Sequence, residues 1–359
     1  MLLTIYILTI LLCIYNYQNK NFFWIMVFIL WLISGFCYEN ADTEIYSYRY
    51  YQFEHVSSLS EVGFTYLMKL FNNMNVSFNV FLKIIYAFIF CVVAWFINKN
   101  SRYPNIAIAL YAIFPFCIDV VQLRSTLAFS FVLIGIDSLL NEEDNILTYL
   151  KYIFCVFLAM SIHASSILFL ALVIAKKYSI KHTLLIYTIL CLLVSLILNE
   201  KLLYYVGEQL ISTDRITMIL KAATMFPFTI KIKVMIMVIC TALVCVMVLL
   251  SVKKSLTEKF DIEKVDCIIK SQFIILITLP LLIYTLGFYR IGRYMVLVAY
   301  IGFTYNLMEN SYKNTCFFNT ILGMIVCCLF YVQIVMMGNF DSTFKSLFLN
   351  NSIRVLFGM

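Results

Sequence analysis

Between Leu2 and Met337 the chain returns repeatedly to apolar runs close to the length that crosses a bilayer, roughly 20 residues. About eleven such runs can be drawn: Leu2–Tyr15, Phe22–Tyr38, Phe78–Ile97, Asn105–Val120, Leu123–Leu140, Tyr152–Ala175, Thr183–Leu198, Ile232–Val252, Ile268–Phe288, Tyr294–Met308 and Phe317–Met337. Hydrocarbon offers no partner to a backbone N–H or C=O, so only helices and closed barrels span it, and runs this continuous mean helices. The residues between the runs are too few for a soluble domain. With 63% of residues apolar and 13% charged, the composition excludes a soluble globular fold. The expectation is an all-α, polytopic membrane helical bundle of about 10–12 transmembrane helices. Residues 1–359 are expected to form a single integral membrane domain, with outer loops near 38–77 and 199–231.

Several function classes fall away. The 12 cysteines are scattered through apolar runs with no CxxC and no Cys/His cluster at metal spacing, so they read as small core residues. No metal site and no cofactor motif is expected. The net charge of +7 is spread over short loops, which speaks to membrane orientation and anionic lipid and not to nucleic acid. Met1–Tyr15 lacks a basic n-region and a small-residue cleavage site, and reads as a first span.

Orientation follows the basic residues. Lys20, Lys99 and Arg102 mark one side of the front half. The Tyr38–Ser77 loop, with Glu39, Asp42, Glu44, Glu54 and Glu61, marks the other, outer side. In the back half Lys176, Lys177 and Lys181 look cytoplasmic, as do Lys253, Lys254, Lys259 and Lys264. If every run crosses once, the two halves disagree in parity. A broken or re-entrant helix near His163 removes the disagreement, because irregular backbone is tolerated where it lines a cavity, and a violation of the charge rule in one loop removes it as well.

Polar residues inside the apolar frame are the functional candidates. In Asp119–Gly135, Gln122 and Arg124 stand at the mouth of an apolar helix whose N–H groups and positive dipole end point the same way. That suits a phosphate. The alternative is a guanidinium snorkelling to headgroups. Asp42, Tyr46 and Tyr50 fall four apart and share one helix face. They fit a sugar, or an interfacial aromatic belt. Val62–Asn73 reads as a short interfacial helix. His163 lies roughly 18 Å along its run, counting from Lys151, beside Ser161, Ser165 and Ser166. Burial favours the neutral imidazole that a general base needs, although a lone core histidine reads the same way. Arg290 and Arg293 share a face ahead of Tyr294 and fit a diphosphate, or anchor headgroups.

Taken in order, these motifs resemble the bacterial Wzy-type polysaccharide polymerases of the EpsG branch. The resemblance rests on Asp42-x3-Tyr46-x3-Tyr50, Glu61-x-Gly63-Phe64, Arg124 with Ala128, His163-Ala164-Ser165-Ser166 and the Arg290–Tyr294 cluster. Ala41 stands where that family usually has glycine. The resemblance implies a metal-independent glycosyltransferase of the bacterial cytoplasmic membrane. Such an enzyme passes a growing glycan from undecaprenyl diphosphate to the sugar of an incoming lipid-linked repeat unit at the outer face. The implied reaction residues are His163 and Arg124. The implied substrate-binding set is Asp42, Tyr46, Tyr50, Glu61, Gln122, Arg290, Arg293 and Tyr294. The implied partners are undecaprenyl-diphosphate-linked oligosaccharide, membrane lipid, and the chain-length regulator and flippase of the same pathway. A transporter or flippase of lipid-linked oligosaccharides is the competing class, and a membrane acyltransferase with His163 as base is a third.

Overall fold

The computed structural model describes residues 1–52, 62–197, 226–307, 322–323, 326–332 and 340–353. Among them every regular element is helical. Five helices are long and apolar enough to cross a membrane: Phe78–Asn100, Leu123–Asn141, Ile180–Ile197, Phe228–Ser255 and Lys259–Leu282. Leu2–Tyr15, Lys20–Gly35, Pro104–Ile113 and Ile146–Ile162 are shorter apolar helices. The protein is an all-α integral membrane bundle. Glu61, most of the 199–231 stretch and most of the Phe317–Met337 run lie outside the described residues.

The chain divides into two compact units, residues 1–170 with 303–359, and residues 171–302. The first unit begins with α1 (Leu2–Tyr15) and α2 (Lys20–Gly35), then two short helices, α3 (Ala41–Tyr51) and α4 (Val62–Asn73). The expected outer loop is therefore largely helical. Spans α5 (Phe78–Asn100) and α8 (Leu123–Asn141) are connected by α6 (Pro104–Ile113) and α7 (Phe116–Val121). The Asn105–Val120 run was expected as one helix, and it breaks at Phe114–Pro115. Proline has no N–H to donate and pushes the residue before it out of the α region. Phe114 accordingly is extended, at φ −157° and ψ 131°.

Long-range hydrogen bonds fix the ends of this unit. Asn105 Nδ2 donates to the carbonyls of Asn16 and Asn19, both at 2.8 Å, which brings the α1–α2 turn to the start of α6. The end of α5 meets the end of α8 in a polar knot. Asp137 accepts from Lys99 Nζ at 2.6 Å, Asn100 Nδ2 at 2.9 Å and Asn141 Nδ2 at 2.8 Å. Tyr305 Oη donates to the Asn100 carbonyl at 2.9 Å. Lys20, Lys99 and Arg102 therefore gather at one end, while α3, α4 and the start of α8 form the other.

The Tyr152–Ala175 run is also broken. Helix α9 (Ile146–Ile162) stops at His163, which is extended at φ −145° and ψ 112°, and a 3-10 helix follows over Ala164–Leu172. The break is a reversal. A straight helix would separate Tyr152 from Phe169 by about 25 Å, several times the reach of a tyrosine. Yet the Tyr152 hydroxyl donates to the Phe169 carbonyl. The Phe169 ring also meets Phe129 of α8 at 5.8 Å. Tyr152 fits because α8 offers Gly135 opposite it: a Cβ at Gly135 would lie 2.8 Å from the Tyr152 ring and 3.1 Å from Cys155 Cβ. The expected break near His163 is observed.

The second unit holds α10 (Val173–Lys177), α11 (Ile180–Ile197), α12 (Phe228–Ser255), α13 (Lys259–Gln272), α14 (Ile275–Leu282) and α15 (Tyr289–Phe303). Helix α12 starts at Phe228, so the last residues assigned to the 199–231 loop are helical instead. Helix α15 starts at Tyr289, so Arg290 and Arg293 sit in its first turns and not in a loop. Two glycines of α15 set its packing. Gly292 lies against Ile275 and Val238, and Gly302 against Leu249 and Ile268. Helices α12 and α15 thus run alongside in the same direction, with α13–α14 opposed. The basic Lys253–Lys264 turn lies at the opposite end of this unit from Arg290.

Candidate functional site

The α3 end of the first unit collects most of the motif residues. Helix α3 starts on a reciprocal cap: Asn40 Oδ1 accepts from Thr43 N at 2.9 Å, and Thr43 Oγ1 accepts from Asn40 N at 3.1 Å. Caps of this type satisfy orphan donors and set the entry angle of the chain. The angle turns one face inward, with Tyr46 and Tyr50 buried on it and Asp42 half-buried.

Tyr46 holds Arg124. The guanidinium Nε donates to the Tyr46 hydroxyl at 2.7 Å, and Cζ lies 5.1 Å from the centre of the Tyr46 ring. One side chain thus supplies an acceptor and a π face to the same cation. Arg124 itself is in the first turn of α8, just after a kink at Gln122 with φ −96° and ψ 54°. The kink is stitched by side chains. The Gln122 carbonyl accepts from Ser125 Oγ and Thr126 Oγ1, both at 3.0 Å, and Thr126 Oγ1 also donates to the Asp119 carbonyl at 2.7 Å. The Gln122 side chain is half-buried beside Arg124 in sequence.

Helix α4 reaches from this pair to the end of α9. The Phe64 ring meets Tyr46 edge-on at 5.5 Å. One residue earlier, Gly63 lies against Ser161, where a Cβ would come within 2.4 Å of Oγ and 3.0 Å of the carbonyl. Only glycine allows α4 this close to the end of α9. The register of the α8–α9 hairpin agrees: Arg124 is 11 residues before Gly135, and His163 is 11 residues after its partner Tyr152. Arg124 and His163 therefore lie at the same level of an antiparallel pair. His163 is half-buried and ends α9, its N–H bonded to the Ala159 carbonyl at 2.8 Å.

Tyr50 has structural contacts. Its hydroxyl donates to the Val76 carbonyl at 2.7 Å, its carbonyl accepts from Asn72 Nδ2 at 2.8 Å, and its ring packs on Phe78 and Phe81. In the second unit, Arg293 is only 2% exposed. Its Nη1 donates to Tyr289 Oη at 2.9 Å, and its Cζ lies 5.3 Å from the Tyr289 ring and 4.9 Å from the Tyr294 ring. Arg290 is half-buried. Among the described residues no group of three or more His, Cys, Asp or Glu side chains is placed to hold a metal ion.

The model of the EpsG family matches residues 3–348, nearly the whole chain. The chain belongs to the EpsG family. No curated protein and no solved structure matches it. An EpsG-family chain has a polysaccharide-polymerase-type role, in keeping with an integral membrane bundle whose polar side chains gather at helix ends. Two features of this EpsG-family chain, one in each unit, escaped the reading of the sequence. One is the Tyr46–Arg124 contact, which joins residues 78 positions apart. The other is Tyr289 as a partner of Arg293, which the four-residue spacing on α15 does signal. The Asn40-x-x-Thr43 cap was legible too, as a helix start before an aromatic run.

Proposed function

We propose that this protein is a polymerase that transfers a growing glycan from undecaprenyl diphosphate to a sugar hydroxyl of an incoming lipid-linked repeat unit, at the outer face of the bacterial cytoplasmic membrane. The observation that carries the proposal is the α8–α9 register. It puts Arg124 and His163 at one level of the pair, with Tyr46 on Arg124, Phe64 on Tyr46, and Gly63 against Ser161, two residues before His163. In the reaction the acceptor hydroxyl oxygen forms a bond to the anomeric carbon of the growing chain. The bond from that carbon to the phosphate oxygen breaks, and the diphosphate leaves with the electron pair. His163 takes the hydroxyl proton, and Arg124 meets the charge gathering on the diphosphate. Tyr46 orients Arg124, and Asp42 on the same α3 face accepts from sugar hydroxyls. Gln122 and Glu61 complete the substrate-binding set.

The reversal at His163 supports the sidedness. With residues 146–177 entering and leaving on one side, one crossing is removed. The basic groups at Lys20, Lys99, Lys176–Lys181 and Lys253–Lys264 then fall on the cytoplasmic side by counting, and α3, α4 and Arg290 on the outer side. A re-entrant segment also suits a transporter of the same lipid. Purified protein with lipid-diphosphate-linked repeat units, assayed for product size, separates the two. Wild type is expected to form polymer, and His163→Gln to lose about 10²–10⁴ in rate while keeping its fold. Wild-type rates from His163→Gln would reject the base. Lipid transport into vesicles without polymer would reject the polymerase.

A further inference from the structure

The 340–353 segment lies beside both elements that carry the Tyr46–Arg124 pair. Phe340–Lys345 and Ser346–Phe348 are helical, and Thr343, Ser346, Leu347, Phe348, Asn351 and Ile353 are buried. The segment first meets the end of α2, where the carbonyls of the last turn have no partner within the helix. Asn351 Nδ2 donates to the Ile33 carbonyl at 2.7 Å, and Ser352 N donates to the Phe36 carbonyl at 3.2 Å. Asn351 Oδ1 accepts from Ile353 N at 3.0 Å, which fixes the orientation of the amide. The segment next meets the start of α3. Cys37 Sγ donates to the Ser346 carbonyl and accepts from Asn40 Nδ2, both at 3.7 Å. Asn40 is the residue that caps α3. The third neighbour is α7, which leads through the Gln122 kink to Arg124. Phe340–Lys345 packs on α7. The Phe348 ring meets Tyr6 at 4.9 Å, and the Tyr6 ring meets Phe116 of α7 at 5.8 Å.

We infer that the 340–353 segment is a positioning strap for the Tyr46–Arg124 pair, with Asn351 and Cys37 as its positioning residues. Asn351 fixes the segment on α2, and Cys37 ties it to the Asn40 cap. The cap sets the angle at which α3 turns Tyr46 inward. Because the strap also seats on α7, it holds both partners of one contact. A sulfur hydrogen bond is weak, so the strap acts through the sum of its bonds and buried rings. Its effect on rate rests on the function proposed above, whereas its effect on α3 does not.

Full-length protein in neutral detergent is followed by hydrogen exchange without substrate, and by polymer formation on lipid-diphosphate-linked repeat units. Asn351→Ala is expected to raise exchange in α3 by about 2–10-fold, the worth of one net hydrogen bond, and to leave the Lys99–Asp137 end of α5 and α8 unchanged. A fall in kcat/KM by a similar factor is expected. Cys37→Ala removes both sulfur contacts and is expected to act in the same direction. Cys37→Ser keeps a donor and an acceptor and is expected to stay closer to wild type. Combined with Tyr46→Phe, Asn351→Ala is expected to cost less in kcat/KM than it does alone, because both loosen one contact. The Cys37 pair decides by itself if Asn351→Ala does not fold. Wild-type exchange in α3 for both Asn351→Ala and Cys37→Ala overturns the strap. A lowered melting temperature with wild-type kcat/KM, or full additivity with Tyr46→Phe, overturns the positioning role and leaves a structural one. Cys37→Ser as poor as Cys37→Ala overturns the part given to Cys37. Raised α3 exchange in variants of a protein whose wild type makes no polymer would reject the proposed function and keep the strap.

Discussion

Tyr46→Phe isolates one interaction in the candidate site. The substitution removes the hydroxyl that accepts from Arg124 Nε at 2.7 Å and leaves the ring. The ring keeps its 5.1 Å approach to the guanidinium and its edge contact with Phe64. A hydrogen bond to a charged group is worth about 1.5–3 kcal/mol, and the net value falls where water can replace the lost partner. Arg124 is half-buried, so the lower part of the range applies. A loss of about 1.5–2 kcal/mol corresponds to roughly 10–30-fold in kcat/KM. If Arg124 meets charge that develops as the diphosphate leaves, kcat and kcat/KM fall together. If it only holds the ground state, KM rises alone. Tyr46→Leu also removes the cation–π contact, about 0.5–2 kcal/mol, and the aromatic pair, about 0.5–1.5 kcal/mol, so its loss is larger and includes stability. The assay is polymer formation by purified protein on lipid-diphosphate-linked repeat units, with melting temperature as the control. Combined with Arg124→Lys, Tyr46→Phe is expected to add less than its separate effect, because the two act through one contact. Wild-type kinetics from Tyr46→Phe, or full additivity with Arg124→Lys, would refute the reasoning and reduce Tyr46 to a packing residue.

Gly63→Ala is expected to force α4 off the end of α9, costing about 1–3 kcal/mol in stability and reducing polymer. Ser161→Gly in the same chain clears both Ser161 side-chain contacts and is expected to restore part of the loss, so a double variant as poor as the single one would count against the close approach. Asp137→Ala strips the shared acceptor from Lys99, Asn100 and Asn141. It is expected to destabilise by about 1–3 kcal/mol while the folded fraction keeps wild-type KM, and a changed KM would place that knot in the site. For sidedness, single cysteines replace Glu44, exposed on α3, and Lys151, exposed on α9, in a chain without its native cysteines. An impermeant thiol reagent on intact cells should label the first and spare the second, and the reverse pattern would invert the proposed topology.

Membrane class, helical content and most span positions were legible because hydrocarbon imposes one rule on every residue it touches. The α1 bounds coincide with the run Leu2–Tyr15, and the α4 bounds with the interfacial stretch Val62–Asn73. Hydropathy measures how much apolar surface a stretch carries, and it is blind to direction. The reversal at His163 and the break at Phe114 leave it nearly unchanged, so Tyr152–Ala175 and Asn105–Val120 read as single spans. The first was legible only indirectly, through basic loops that could not all face one side. The second had a local cause in Pro115 that the apolar run concealed.

The candidate residues were legible as types, because a charge or an imidazole inside an apolar frame is expensive enough to stand out. Their partners were not. Tyr46 and Tyr50 share a face and a chemistry in the sequence, but one holds Arg124 and the other holds the Val76 turn. Arg290 and Arg293 share a face as well, but among the described residues the tyrosine rings of Tyr289 and Tyr294 lie against Arg293. Periodicity along one helix decides which side chains point the same way. What waits on that side depends on close approaches such as Gly63 on Ser161 and Gly135 on Tyr152. Those contacts join residues far apart in the chain, where only the packed structure brings them within bonding distance.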